Sequence, residues 1–201
     1  MKKFLVYTLF FNFIFAGIIA QENISEKNSN LRGAFPFVDQ LSIYDVENHE
    51  FKLFMDKNEV ISVLGEADAI SISTYYPPEK DKYNTVLLTY DEGIKFVYRK
   101  GYGKIISIEI TSNKFGVSKD NIKINQSLIE DVFSSYGNET YMSSVKIKEN
   151  KEVFHIAYGT RDAEKMKILS DFEENIFVIH FDFDYVTRKC QRISLQVDSG
   201  V

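Results

Sequence analysis

The sequence predicts an α+β fold of two tandem repeats, each a short helical segment packed on an antiparallel β-meander of three to four strands. Two short amphipathic helical patterns, at residues 59–66 and 131–138, align at a constant offset of 72 residues. Each pattern is followed by four segments that alternate apolar and polar residues, with turn residues between them. The same order of elements in both halves indicates an internal duplication.

Residues 1–20 have the order of a secretory signal peptide. A short basic region opens the chain, an apolar run from Phe4 ends in small residues, and polar residues follow Ala20. The sequence therefore predicts export, with cleavage after Ala20. An uncleaved anchor is the alternative, because this run approaches the roughly 20 residues that span a bilayer. No Cys follows the run, so a lipoprotein anchor is not predicted.

Composition and charge argue against several classes of protein. The 201 residues carry a formal net charge of −5, and removal of the signal peptide with its two lysines makes the chain more acidic still. An acidic surface argues against nucleic acid or anionic lipid as a partner. The single Cys permits no internal disulfide, so about 180 mature residues must cohere by packing alone. No cofactor is predicted, because zinc-type spacings, phosphate-binding loops and dinucleotide fingerprints are missing from the sequence.

Each predicted unit begins with a helix. The first helix has a capping box that starts at Asp56, and it ends at Gly65. The second has the form of a capping box over Ser127 to Glu130, and it ends at Gly137. The predicted organisation is a signal peptide (1–20), a flexible leader and entry segment (21–49), a first helix-plus-meander unit (50–116) and a second helix-plus-meander unit (117–201).

The strands are predicted from alternation and from the turn residues that separate them. Apolar members of each alternating run are expected to face the helix of their unit, with polar members on the outer face. A long polar insertion, residues 159–175, separates two strands of the second unit. The predicted strands are Ile70 to Tyr76, Thr85 to Tyr90, Gly93 to Arg99, Lys104 to Thr111, Tyr141 to Ile147, Glu152 to Tyr158, Ile176 to Tyr185 and Cys190 to Val197.

A repeated pair of helix ends carries a family resemblance. A short amphipathic helix closing on Leu-Gly or Tyr-Gly, here Val60 to Gly65 and Val132 to Gly137, followed by a meander, resembles the beta-lactamase inhibitor protein-like superfamily. Outer-membrane assembly lipoproteins of the SmpA/OmlA type share that unit. The chain departs from these families in lacking a Pro two residues after each Gly, a disulfide and a lipid-accepting Cys. The resemblance implies a non-catalytic module that binds other proteins on the exposed face of its sheet.

Strand parity predicts one polar cluster in the second unit. Imidazole, thiolate and carboxylate groups could form a zinc site, or a Cys activated by His. A solvated polar face is the simpler interpretation and the one we favour, because the two aspartates alternate normally with Phe181 and Phe183. The residues predicted on this outer face are His155, His180, Asp182, Asp184, Cys190 and Arg192.

Tyr75 and Tyr76 precede two prolines at a predicted hairpin tip. They could present rigid contact area to a partner, or pack onto the fold. The function we predict is an exported, non-catalytic protein-binding module, periplasmic or secreted, with an unknown protein partner and no stable membrane insertion after cleavage. The alternative is a small-molecule or lipid-binding periplasmic protein. The predicted partner-binding surface comprises Tyr75, Tyr76, His155, His180, Asp182, Asp184 and Arg192.

Overall fold

The computed structural model describes residues 42–117, 122–137, 140, 142–148, 151–160 and 175–199. The predicted signal peptide lies outside the described residues, as does the predicted leader up to residue 41. Most of the long polar insertion, residues 161–174, also lies outside them. The part of the predicted entry segment that is described includes a strand, Ser42–Asp45.

The described part of the chain contains twelve strands, two α-helices and one 3-10 helix. The strands are β1 (Ser42–Asp45), β2 (Glu50–Lys52), β3 (Ala69–Ile72), β4 (Thr85–Tyr90), β5 (Ile94–Arg99), β6 (Ile105–Ile110), β7 (Phe115–Val117), β8 (Ile122–Lys123), β9 (Met142–Lys148), β10 (Lys151–Thr160), β11 (Asn175–Asp184) and β12 (Cys190–Ser199). The α-helices are α1 (Lys57–Leu64) and α2 (Ile129–Tyr136), and the 3-10 helix is Pro78–Tyr83.

The strands form two antiparallel sheets. The larger has eight strands in the order β3-β4-β5-β6-β12-β11-β10-β9, and the smaller has four in the order β2-β1-β7-β8. The predicted α+β fold of two tandem helix-on-meander repeats is therefore wrong, because the described part of the chain is mainly antiparallel β-sheet. The two predicted meanders are joined in one sheet, since β6 pairs with β12 and Ile108 lies opposite Leu195.

The smaller sheet is missing from the sequence prediction. Its strands have two to four residues, from β8 at the short end to β1 at the long end. A run that short shows too little alternation to be recognised as a strand. It is assembled by pairing between distant segments, such as Ile43 opposite Val117, which only the folded chain brings together.

The strands of the larger sheet lie close to their predicted positions, with one informative difference. β4 matches its predicted segment at both ends, but β3 ends at Ile72 rather than at Tyr76. The backbone of Tyr76 bonds to a side chain instead of to a strand: its N–H donates to Asn84 Oδ1 at 2.8 Å, and its carbonyl accepts from Asn84 Nδ2 at 3.0 Å. The chain therefore leaves the sheet before the tyrosines.

Helix α1 begins at the predicted capping box. Asp56 Oδ1 accepts from the backbone N–H of Asn58 at 2.9 Å, and Glu59 Oε1 accepts from the N–H of Asp56 at 3.3 Å. These two bonds satisfy donors that have no partner inside the helix. The predicted box is confirmed for α1.

Helix α2 begins one residue later than its predicted capping box implies. Leu128 donates its backbone N–H to Asp131 Oδ2 at 2.7 Å, so Asp131 rather than Glu130 closes the first turn. Ser127 Oγ accepts instead from the backbone N–H of Lys123 at 3.0 Å. The predicted box over Ser127 to Glu130 is wrong, because the serine hydroxyl accepts a hydrogen bond within the turn before the helix and does not cap the helix.

We expect Asp56→Ala to lower the free energy of unfolding by about 1 kcal/mol, because it removes the N-cap acceptor of α1. Asp56→Asn is the matched control: Asn caps helices about as well as Asp, so this variant should lose much less. Urea denaturation of both variants measures the difference. Equal losses in the two variants would show that the cap is not what stabilises this helix end.

The core lies on one face of the larger sheet. Phe181 of β11 packs on Tyr136 of α2 with ring centroids 5.3 Å apart, and Phe96 of β5 packs on Phe51 of the smaller sheet at 5.5 Å. The strand registers place Phe96 and Phe181 on one face of the sheet, so α2 and the smaller sheet cover the same face. Helix α1 lies there too, because the Gly65 carbonyl at its end accepts from Tyr90 of β4. The opposite face carries the alternate residues of each strand.

Two tyrosines of the larger sheet form hydrogen bonds to the ends of the helices. Tyr90 donates its hydroxyl to the carbonyl of Gly65 at 3.1 Å, and Tyr158 donates to the carbonyl of Gly137 at 2.7 Å. Each Gly follows a helix at positive φ, 80° and 84°, a conformation that favours glycine. Burial raises the pKa of Tyr158 to about 12, so this tyrosine remains a hydrogen-bond donor.

Candidate functional site

A polar network lies on the face of the larger sheet opposite the helices. Phe181 packs on α2, so its neighbours His180 and Asp182 point to the other face, as does His155, which pairs with Asp182. His155, His180 and Asp182 are only 2%, 8% and 3% exposed. The expectation of a solvated polar face is therefore wrong for these three residues.

The two histidines form one continuous chain of hydrogen bonds. His155 Nδ1 lies 2.6 Å from Asp182 Oδ1, and His155 Nε2 lies 3.2 Å from His180 Nδ1. His180 Nε2 lies 2.6 Å from Gln196 Nε2. The two imidazole rings stack with centroids 5.1 Å apart. All four ring nitrogens are thus engaged within the network.

The protons of this chain can be placed so that every donor meets an acceptor. The Gln196 amide donates to His180 Nε2, His180 Nδ1–H donates to His155 Nε2, and His155 Nδ1–H donates to Asp182. This arrangement leaves both imidazoles uncharged. Burial lowers the pKa of His180 to about 4, and His155 and Arg192 act in the same direction. His180 is therefore neutral at neutral pH.

The network continues from Asp182 towards the surface as alternating charges. Arg192 donates from Nε to Asp182 Oδ2 at 2.8 Å and from Nη1 to Glu109 Oε2 at 2.7 Å. Lys95 Nζ donates to Glu109 Oε1 at 3.2 Å. Burial opposes the charge on Arg192, but Asp182 and Glu109 outweigh it and raise its pKa above the ordinary value. The charges of two acidic and two basic side chains thus balance across β11, β12, β6 and β5.

Sequence reasoning missed three members of the network. The alternation of β12 places Gln196 on the same face as Arg192, so its polar side chain was a usable signal. Glu109 and Lys95 occupy outward positions of β6 and β5, but their link to Arg192 depends on the pairing of β6 with β12. The local sequence contains no signal that predicts the pairing of β6 with β12.

Ser144 of β9 is a further polar neighbour. It lies directly opposite His155 in the strand register. Its Oγ is buried and has no hydrogen-bond partner among the described residues. A Ser beside a His–Asp pair would suggest a nucleophile, but His155 Nε2 is bonded to His180 rather than to this hydroxyl. The arrangement lacks the nucleophile–base hydrogen bond that such chemistry requires.

Cys190 does not join the histidines. The register of β11 and β12 shifts between Asp182 and Phe183, and Cys190 lies opposite Phe183. Directly opposed residues share a face, so the shift turns the thiol to the core side. Burial raises the pKa of Cys190 to about 12, and its Sγ donates to the carbonyl of Arg192 at 3.6 Å. The Cys–His interpretation fails because the thiol lies on the core face, away from the histidines. Parity placed it on the outer face because parity alone could not reveal the register shift.

Asp184 also lies apart from the network. Its Oδ1 accepts from the backbone N–H groups of Val186 at 3.1 Å and Thr187 at 2.6 Å, in the turn between β11 and β12. These bonds lower the pKa of Asp184, the one from Thr187 most strongly. Within the described ranges, no group of three or more His, Cys, Asp or Glu side chains could hold a metal ion.

The aromatic tip, which we define as Tyr75, Tyr76 and Tyr83, lies beyond the end of β3. Tyr75 is 84% exposed, and its ring stacks edge-on against Tyr76 at 5.2 Å between centroids. Tyr76 in turn contacts Tyr83 at 5.7 Å. The buried Asn84 clamps both backbone groups of Tyr76. An exposed ring is thus held on a rigid base.

The structure does not bring the aromatic tip and the histidines together. β3 is one edge of the larger sheet, whereas His155 lies on β10, with five strands between them. A cleft of 360 Å³ opens beside the tip and is lined by Thr74, Tyr76, Pro77, Pro78, Asp81 and Asn84. A second cleft, of 440 Å³, lies at the smaller sheet and includes Tyr44, Lys114 and Lys123. Neither is lined by a histidine.

The edge strand beside the aromatic tip is unusually open. All four residues of β3 are exposed, and Ile70 and Ile72 are 58% and 54% exposed. In the part of the chain that the structure describes, β4 is the sole neighbour of β3. No helix in these described ranges is both long and apolar enough to cross a membrane.

No family model matches the chain, and no curated protein does. Among solved structures, the chain is similar to the 1.5 Å crystal structure of an extracellular protein containing a SCP domain from Bacillus anthracis str. Ames, with 15% identity and a TM-score of 0.43. The similarity covers 85% of this chain and 48% of that one, about half its length. A similarity this low carries no conclusion about function, and the resemblance to the beta-lactamase inhibitor protein-like superfamily stays a prediction.

Proposed function

We propose that this protein is an exported, non-catalytic binding module that contacts another protein through the aromatic tip and the neighbouring edge strand β3. The observation that carries the proposal is the ring of Tyr75, exposed at the end of an open strand yet held by Tyr76 and Asn84. Aromatic side chains on a rigid base give large contact area at low entropic cost. Export rests on the order of residues 1–20.

The clamp beneath the tip supports a recognition role over simple packing. A tyrosine that served the core would bury its ring, but Tyr75 buries little of its own. Two part-buried hydrogen bonds between Asn84 and the backbone of Tyr76 instead fix the chain that carries Tyr75. The adjoining cleft of 360 Å³ offers room for a partner side chain beside the ring.

The buried network supports the non-catalytic part of the proposal. The ring nitrogens of His155 and His180 are occupied by Asp182, Gln196 and each other. A general base must present a nitrogen to a substrate, and both imidazoles here are buried. We assign His155, His180, Asp182 and Arg192 to the cohesion of the sheet rather than to the contact surface.

A photo-crosslinking side chain placed at Tyr75 is expected to trap a defined protein partner on intact producing cells. Tyr185 is the matched control, because it is an exposed tyrosine in the turn between β11 and β12. Crosslinks from position 75 and none from position 185 support the proposal. Crosslinks from position 185 alone, or a well-folded protein that traps nothing from either position, would refute it.

Affinity for the trapped partner provides a second measurement of the same prediction. Tyr75→Ala should weaken binding by about tenfold or more, as expected of an aromatic hot-spot residue. The same change should leave the free energy of unfolding nearly unaltered, because the ring is exposed. Unchanged affinity would remove Tyr75 from the contact surface.

A further inference from the structure

The two outer strands of the larger sheet differ in how they are protected. β9 carries the exposed Lys146 on its edge, and lysine at an edge discourages pairing with another strand. β3 (Ala69–Ile72) has no charge, no Pro and no irregularity in its register with β4. Unprotected edges of this kind are templates for strand addition. The difference within one sheet singles out β3.

Main-chain groups of β3 are directed at the open side. Ser73 donates its N–H to the carbonyl of Thr85 at 2.9 Å, next to a register that sets Ile72 opposite Val86. In an antiparallel pair alternate residues bond to the neighbour, so Ser71 and Ser73 face β4. The N–H and C=O groups of Ile70 and Ile72 therefore point away from β4. Two donors and two acceptors are presented at regular spacing.

We infer that β3 receives an extended segment of the protein partner as an additional antiparallel strand, which deepens and rests on the proposed binding function. Antiparallel pairing continues the pattern of every described pair in this sheet. The partner's main chain bonds to Ile70 and Ile72, and its alternate side chains cover theirs. This is the strand-addition mode of peptide recognition.

The charges around β3 define the chemistry of the segment. Glu66, Asp68 and Asp91 are exposed at the beginning of β3, where Asp91 donates its N–H to Asp68 Oδ2 at 2.7 Å. An antiparallel partner ends at this point, so its carboxyl-terminal flank should be basic. The strand itself is uncharged, and the aromatic tip lies at its other end. The predicted segment has alternating apolar residues followed by Lys or Arg.

The test uses fluorescence anisotropy with the full chain and one labelled probe, the synthetic peptide acetyl-Thr-Val-Thr-Val-Thr-Lys-Lys-amide. Two further peptides are N-methylated on alternate residues, one on each set. Only one set directs its N–H groups at β3, so one methylated peptide should bind at least about tenfold more weakly and the other should bind like the parent. Replacing both lysines of the probe with glutamates should also weaken binding.

Variants of the protein locate the site. Ile72→Lys adds an edge charge to β3 and should abolish peptide binding, whereas Ile147→Lys on β9 is the matched control and should not. Both side chains are exposed, so both variants should fold, which urea denaturation checks. Loss of binding in Ile72→Lys alone supports strand addition at β3.

Several outcomes would overturn the inference. Equal effects of the two N-methylation patterns would show that main-chain pairing is not involved. Failure of the parent peptide to bind would refute strand addition at β3. Self-association in analytical ultracentrifugation that Ile72→Lys abolishes would assign the edge to a second copy instead. The proposed function is tested separately, since crosslinks from Tyr75 that persist in Ile72→Lys would leave protein binding intact and remove strand addition alone.

Discussion

Asp182→Ala should lower the free energy of unfolding by about 3 kcal/mol, because it leaves buried donors without an acceptor. The Nδ1–H of His155 would lose its bond at 2.6 Å inside the sheet. Arg192 would lose the carboxylate that holds its Nε at 2.8 Å, although Glu109 would still pair with it. Removal of one member of a buried polar pair costs more than the pair itself contributes.

Asp184→Ala is the matched control for this prediction. Asp184 is two residues away on the same strand, but its carboxylate accepts from Val186 and Thr187 in the turn and not from the buried network. We expect a loss of about 1 kcal/mol or less from this change. Urea denaturation of both variants compares them directly. Similar small losses would mean that the network does not stabilise the sheet.

Stability should fall on acidification through His180. Its pKa is about 4 in the folded protein and near the ordinary value of 6.5 when unfolded, so between these values the unfolded chain binds more protons. Stability from this group is therefore complete above the unfolded pKa and is lost as pH falls towards the folded one. From about pH 7.5 to about pH 5 the loss should be about 2 kcal/mol, out of about 3 in all.

Carboxylates with lowered pKa values do not obscure this window. Hydrogen bonds lower the pKa values of Asp56, Asp81 and Asp184 in the folded protein. Stability from a lowered carboxyl pKa is present above its unfolded value and is lost only at more acidic pH. His180→Gln should therefore flatten the dependence of stability between about pH 7.5 and about pH 5. If the free energy of unfolding of His180→Gln fell with pH as steeply as that of the unaltered protein, another group would cause the acid sensitivity.

Local sequence patterns located most elements of the larger sheet. Alternation marked β4 at both ends, and the Asp56–Glu59 capping box marked the start of α1. These signals depend on residues a few positions apart, which is why they can be read without the fold. The start of α2 was misplaced by one residue because Ser127 has an alternative local donor in Lys123.

Parity also brought part of the candidate site together. His155, His180, Asp182 and Arg192 were predicted on one face of neighbouring strands, and the structure links them by hydrogen bonds. Strand parity could not show that three of these residues are buried, since burial depends on distant parts of the chain. A single register shift moved Cys190 out of the same set.

By itself, the sequence determined the approximate positions of the strands of the larger sheet and, Cys190 apart, which of their polar candidate residues share a face, because both follow from a period of two along the chain. Only the tertiary structure decided that β6 pairs with β12 to make one eight-stranded sheet, and that β1 and β7 make another. It also decided that the histidines are buried while Tyr75 and β3 remain open. Pairing between distant strands depends on contacts that no local pattern encodes.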